Sequence, residues 1–162
     1  MARRDGVRID DQAAILVREN LAAVIAGDPG RWTAATQALA DGDDRTFEDA
    51  VNLCFTLDDQ LLRDLHDGPP RPDGIASLAE SVARMEAWSN LDQSTAWRFL
   101  MALAQSRDPF EVLSGTEAVQ TGFIVGGWLL SAFTPPNLHW EEVLDEALNA
   151  LDRDLLLVTF TS

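Results

Sequence analysis

The sequence predicts an all-α protein: one bundle of six to seven helices around a nearly all-apolar central helix at about 117–133. Three observations predict it. Apolar residues recur at helical spacing along most of the chain. Helix starts and stops punctuate those runs at regular intervals. No stretch shows the strict alternation of a half-buried strand, apart from Val7 and Ile9 near the N-terminus.

The first helix is expected from about Asp10 to Ala26, with Ala13, Leu16, Leu21, Val24 and Ile25 on one face and Gly27 as its stop. Asp28-Pro29-Gly30 turns the chain into a shorter helix, 31–40, with Pro29 near its first turn. Asp41-Gly42-Asp43-Asp44 closes that helix and caps the next. The third helix, 46–65, carries Phe47, Val51, Cys54, Leu61 and Leu65 as its stripe, widened by Leu57 and Leu62. Asp58-Asp59-Gln60 is expected mostly on its solvent side.

The segment 67–74, with three Pro and two Gly, cannot continue a helix. It separates two helix groups of a single domain spanning 1–162, since three helices alone make a marginal core. Pro69-Pro70-Arg71-Pro72 within it reads as a rigid loop rather than a polyproline recognition segment. Ile75, Leu78, Val82, Met85 and Trp88 mark a fourth helix; Ala96, Phe99, Leu100 and Leu103 mark a fifth that ends before Asp108-Pro109. A short turn at 109–113 follows. Thr116 is expected to cap the sixth helix, which is apolar nearly all round, as a helix surrounded by others tolerates. Pro135-Pro136 stops it. Asn137 is expected to cap the seventh, where Trp140, Val143, Leu144, Ala147, Leu148 and Leu151 face inward. Residues 155–162 either prolong that helix or form an extended tail that pairs with Val7 and Ile9.

Charge narrows the functional classes. All twelve basic residues are Arg and stand against 27 Asp and Glu, a net charge of −15. So acidic a surface repels nucleic-acid phosphates and anionic membrane, so neither is expected as a partner. The excess is similar in both halves: residues 1–81 hold 8 Arg and 16 acids, residues 82–162 hold 4 and 11. The single Cys54 excludes an intramolecular disulfide, and no apolar run reaches the roughly 18 to 20 residues of a membrane span. A cytoplasmic protein is expected. The exclusive use of Arg, with abundant Ala, Asp and Gly, points to a GC-rich bacterial genome.

No motif announces chemistry. Phosphate loops, nucleophile elbows and His-Glu-x-x-His are absent, no cofactor is expected, and the balance leans against an enzyme. Cys54 and His66 are twelve residues apart on one helix, roughly 18 Å along its axis, too far for a nucleophile–base pair. Cys54 reads as a buried small hydrophobe. His139 and Glu142, three apart, share a helix face and are the candidate metal ligands, though a metal needs further ligands from another helix.

The unusual helix is the sixth. Gly122 and Gly126, followed by Gly127 and Trp128, interrupt it, and each helical Gly costs about 1 kcal/mol relative to Ala. Close approach of a neighbouring helix is one reason for them. The other is a groove for a ligand or partner, walled by Trp128 with Trp88 and Trp97 nearby. Five Trp without a Tyr is a skewed aromatic set, and Trp is enriched at interfaces.

Three functions follow. The first is a non-enzymatic helical adaptor or regulatory protein acting through a protein–protein surface. The second is a small-molecule-binding bundle with its pocket near Gly126 and Trp128. The third is a metal-dependent hydrolase using helix carboxylates and His139. A homodimer is expected as well, paired through the apolar stripe of Trp140, Leu151, Leu155 and Val158.

Overall fold

The computed structural model describes residues 11–66 and 71–161, with side chains described as far as Ala150. Within them the chain is all-α, with seven helices and no strand. They are α1 (Asp11–Ala26), α2 (Pro29–Asp41), α3 (Asp44–His66), α4 (Pro72–Met85), α5 (Gln93–Ala104), α6 (Gly115–Phe133) and α7 (Trp140–Thr161). One-turn 3₁₀ segments, Ala87–Ser89 and Pro109–Glu111, precede α5 and α6. Val7 and Ile9 lie outside the described residues. The backbone of 155–161 is helical and belongs to α7.

Local chemistry sets the ends. Gly27 takes a left-handed φ of 63°, which glycine adopts without a Cβ clash, and α1 stops there. Asp28 Oδ1 then accepts from the Gly30 and Arg31 amides at 3.0 and 3.2 Å, with Pro29 occupying the first helical position. Asp43 Oδ1 accepts from the Thr46 amide at 2.7 Å at the start of α3. Trp88 is not part of α4, which ends at Met85; it sits in the 3₁₀ turn that follows.

Two expected caps are displaced. Ser114, not Thr116, caps α6: its hydroxyl accepts from the Glu117 amide while the Glu117 carboxylate reaches back to the Ser114 amide. That reciprocal box satisfies two orphan donors, which a cap at Thr116 would leave open. At α7 the Nδ1 of His139 accepts from the Glu141 amide at 3.3 Å, so His139 takes the place expected of Asn137.

The apolar stripes meet on α3 and α6. One cluster joins them to α4 and α5 through Val82, Phe99, Leu100 and Leu103. The other joins them to α1, α2 and α7 through Val17, Leu21, Leu39, Leu144 and Leu148. Residues 121–130 of α6 are buried without interruption. Among the described residues no helix is long and apolar enough to cross a membrane.

Candidate functional site

Gly122, Gly126 and Gly127 of α6 are covered. A Cβ at 122 would stand 2.6 Å from Phe55 Cε1; at 126, 2.5 Å from Asp58 Oδ1; at 127, 2.5 Å from Val24 Cγ1. These glycines let α3 and α1 approach α6 closely, and α3 and α1 side chains occupy the space that the expected groove required. Trp128 is 4% exposed and packs edge-on against Phe133. The pocket expected near Gly126 and Trp128 is therefore filled core, because the missing side chains are replaced by Phe55, Asp58 and Val24.

The other tryptophans are elsewhere. Trp88 is half-buried, donates its indole N–H to Glu86 Oε2 at 2.6 Å, and meets Trp32 edge-on at 6.1 Å. It lies beside Gly27 and closes the α1–α2 turn against the end of α4. Burial pushes the Glu86 carboxyl up, and the indole bond opposes that in part. Trp97 stands on α5, 44% exposed.

Asp58 overturns the expectation of a solvent-facing acid. It is fully buried, with Oδ2 accepting from the Cys54 thiol at 3.9 Å and Oδ1 without a partner. Burial pushes both its carboxyl and the Cys54 thiol well above their ordinary values. The sequence held the signal: position 58 fills the gap between Cys54 and Leu61 in the stripe 47, 51, 54, 58, 61, 65. Cys54 is buried as expected. His66 bonds the Leu62 carbonyl through Nδ1 at 2.9 Å.

His139 is exposed and stands 3.7 Å from Glu141, its neighbour around the α7 start, rather than being drawn to Glu142. Among the described residues no three His, Cys, Asp or Glu side chains gather as metal ligands. Trp140 is half-buried. The side chains of Leu151, Leu155 and Val158, expected at an interface with it, lie outside the described residues.

A cleft absent from the sequence reading opens where α7 begins. It has a volume of 410 Å³ and lies between α1, the first turn of α2 and residues 139–141. Ala22, Ile25, Ala26 and Trp140 line it together with the acids Glu19 and Glu141, and the His139 ring is tilted 31° against the indole. Arg18 holds the α7 start to α1, pairing with Glu141 at 3.6 Å and with Asp145. Arg31 also lines the cleft, and its guanidinium makes no ion pair among the described residues.

The charge is uneven between helices although even between chain halves. Residues 71–105, which form α4, its 3₁₀ turn and α5, hold three Arg and four acids, a net −1 out of −15. This hairpin packs inward through Ile75, Leu78, Val82, Phe99 and Leu103, while Met85 and Trp97 stand 64% and 44% exposed. Arg84 pairs with Glu80 at 3.7 Å; Arg98 has no ion pair among the described residues. Comparison with protein-family models, with curated proteins and with solved structures returns no match.

Proposed function

We propose that the protein is a non-enzymatic helical adaptor or regulatory protein that presents the outer face of α4 and α5 to a partner protein. The exposure of Met85 and Trp97 on a nearly charge-balanced hairpin of a strongly acidic chain supports this reading. Protein interfaces are depleted of charge at their centre and enriched in Trp, Met and Arg. Arg98, beside Trp97, adds a cation for a carboxylate on the partner. The same reading places the protein in a bacterial cytoplasm. Quantitative co-purification from the native host tests it. Trp97→Ala and Met85→Glu should each remove a partner that Leu138→Ala, at an exposed apolar position before α7, retains. Retention of every partner by Trp97→Ala defeats the proposal.

The cleft supports a second reading, a small-molecule-binding bundle, now centred on Arg31 and Trp140. Its volume falls in the roughly 300–1,000 Å³ range of ligand sites. A guanidinium without an ion pair among the described residues, in a cleft that an indole also lines, suits an aromatic carboxylate. Calorimetry with benzoate should show binding that Arg31→Gln removes; no heat at millimolar benzoate sinks this reading. Pairing of two copies through the far half of α7 is a further element of the proposal, and sedimentation of the full chain against one lacking 155–162 tests it. The hydrolase reading gains no geometric support among the described residues.

A further inference from the structure

The seam between α3 and α6 contains an ionisable group that neither reading above uses. Asp58 is 0% exposed, and its Oδ1 rests over the backbone of Gly126, where a Cβ would stand 2.5 Å away. Around it, α1 presents Leu21, α6 presents Gly126, and α3 presents Cys54 and Asp59. Asp59 is held by Arg63 at 3.1 Å, and its charge repels a second one beside it. Among the described residues no Arg or His pairs with Asp58. A carboxylate in this position would be a buried charge with neither a counterion nor enough hydrogen-bond donors, which proteins avoid by keeping the group neutral. A neutral carboxyl avoids that charge, and the missing side chain at Gly126 leaves the room it occupies.

We propose that the α3–α6 seam is a proton-dependent latch: neutral Asp58 lies on Gly126 and keeps the seam shut, and its ionisation expels the side chain and uncovers the Gly122–Gly126 face of α6. Phe55, one turn before Asp58 on α3 and packed on Gly122, is released with it. The direction of the pH response follows from burial, which raises the Asp58 carboxyl above its ordinary value of 3.8. Below that value the proton is bound whether the seam is open or shut. Above it only the shut form retains the proton, so each pH unit favours opening by up to about tenfold, until the shut form itself titrates. Alkalinity is thus the opening signal.

The test is amide hydrogen exchange along α6, expressed as protection factors for residues 122–130, in the full chain and in Asp58→Asn. The variant keeps the shape and cannot ionise. In the native chain, protection should fall at least about tenfold between about pH 6 and pH 9, and in Asp58→Asn it should stay level. A parallel fall in both proteins overturns the proposal. Should Asp58→Asn fail to fold, the carbon-13 shift of the Asp58 carboxyl in the native chain decides alone. A protonated carboxyl in the folded protein at pH 6 supports the latch, and a carboxylate already ionised there overturns it.

Discussion

The ring of Phe55 lies across the backbone of Gly122 so closely that a Cβ at 122 would stand 2.6 Å from Cε1 and 3.0 Å from Cδ1. Phe99 packs edge-on against Phe55 with centroids 5.5 Å apart, and its own Cε2 would stand 3.5 Å from the same Cβ, so two rings crowd that position. Gly122→Ala should therefore destabilise the protein by about 1–3 kcal/mol, the cost of overpacking outweighing a helix-propensity gain of about 1 kcal/mol. Gly115→Ala is the contrast, because nothing lies within 4 Å of a Cβ there. It should be neutral or stabilise by up to about 1 kcal/mol. Urea unfolding of both variants checks the pair; equal effects would contradict the packing.

Removing the α6 cap should also be measurable. Ser114→Ala loses the hydroxyl that accepts from the Glu117 amide and donates to Glu117 Oε1, and keeps only the bond from the residue-114 amide to that carboxylate. A loss of about 1 kcal/mol is expected, within the range of about 0.5–2 for such caps. Thr116→Ala should cost less than Ser114→Ala, since Thr116 is not the cap; the reverse order would move the helix start.

The interface variants should leave the fold intact. Trp97 is 44% exposed and Met85 64% exposed, so Trp97→Ala and Met85→Glu should change unfolding free energy by no more than about 0.5–1 kcal/mol. A large loss of stability in either variant would show a structural role and remove the grounds for a docking face.

Salt and acidity should act together. With a net charge of −15, screening of self-repulsion should raise the melting temperature as NaCl is added. The buried carboxyls add a pH slope of known sign. Asp58 and Glu86 are raised above 3.8 and 4.5, so their contribution is full below those values and is lost as pH rises through their folded-state titrations. Asp43 works in the opposite direction. Its bond to the Thr46 amide holds it low, so its contribution is lost only as pH falls below the ordinary carboxylate range. Melting temperatures should thus peak in mild acid and decline toward alkaline pH, with a shallower decline in Glu86→Gln. A maximum near pH 9 would contradict both carboxyl assignments.

Arg18 should matter little to stability. Its ion pairs to Glu141 and Asp145 join partly exposed side chains, and such pairs are worth about 1 kcal/mol at most. Arg18→Ala should loosen the start of α7 instead. Faster amide exchange at 141–145 without a change in global stability is the expected result, and an unchanged exchange pattern would mean that apolar packing, with Leu144 and Leu148 buried, holds the start of α7 without Arg18.

The helix class, the number of helices and most of their ends were legible in the sequence because they depend on neighbours three to four residues away. The apolar stripes of α3, α4 and α5, the Asp28-Pro29-Gly30 turn and the Pro135-Pro136 stop are local signals of that kind. Even the buried acid was marked, since Asp58 completes the Cys54–Leu61 stripe, but an Asp there is outweighed by the usual cost of burying a carboxyl. Which helix faces which glycine depends on contacts between residues far apart in sequence, and only the tertiary structure decided it. Phe55 on Gly122 and Asp58 on Gly126 turned an expected groove into core. The cleft is likewise non-local, since Ile25, Arg31 and Trp140 line it together only once the start of α7 comes against α1. Helical periodicity determines the face a residue occupies; the packing of the helices against one another determines what that face meets, because close approach depends on the side chains of the other helix.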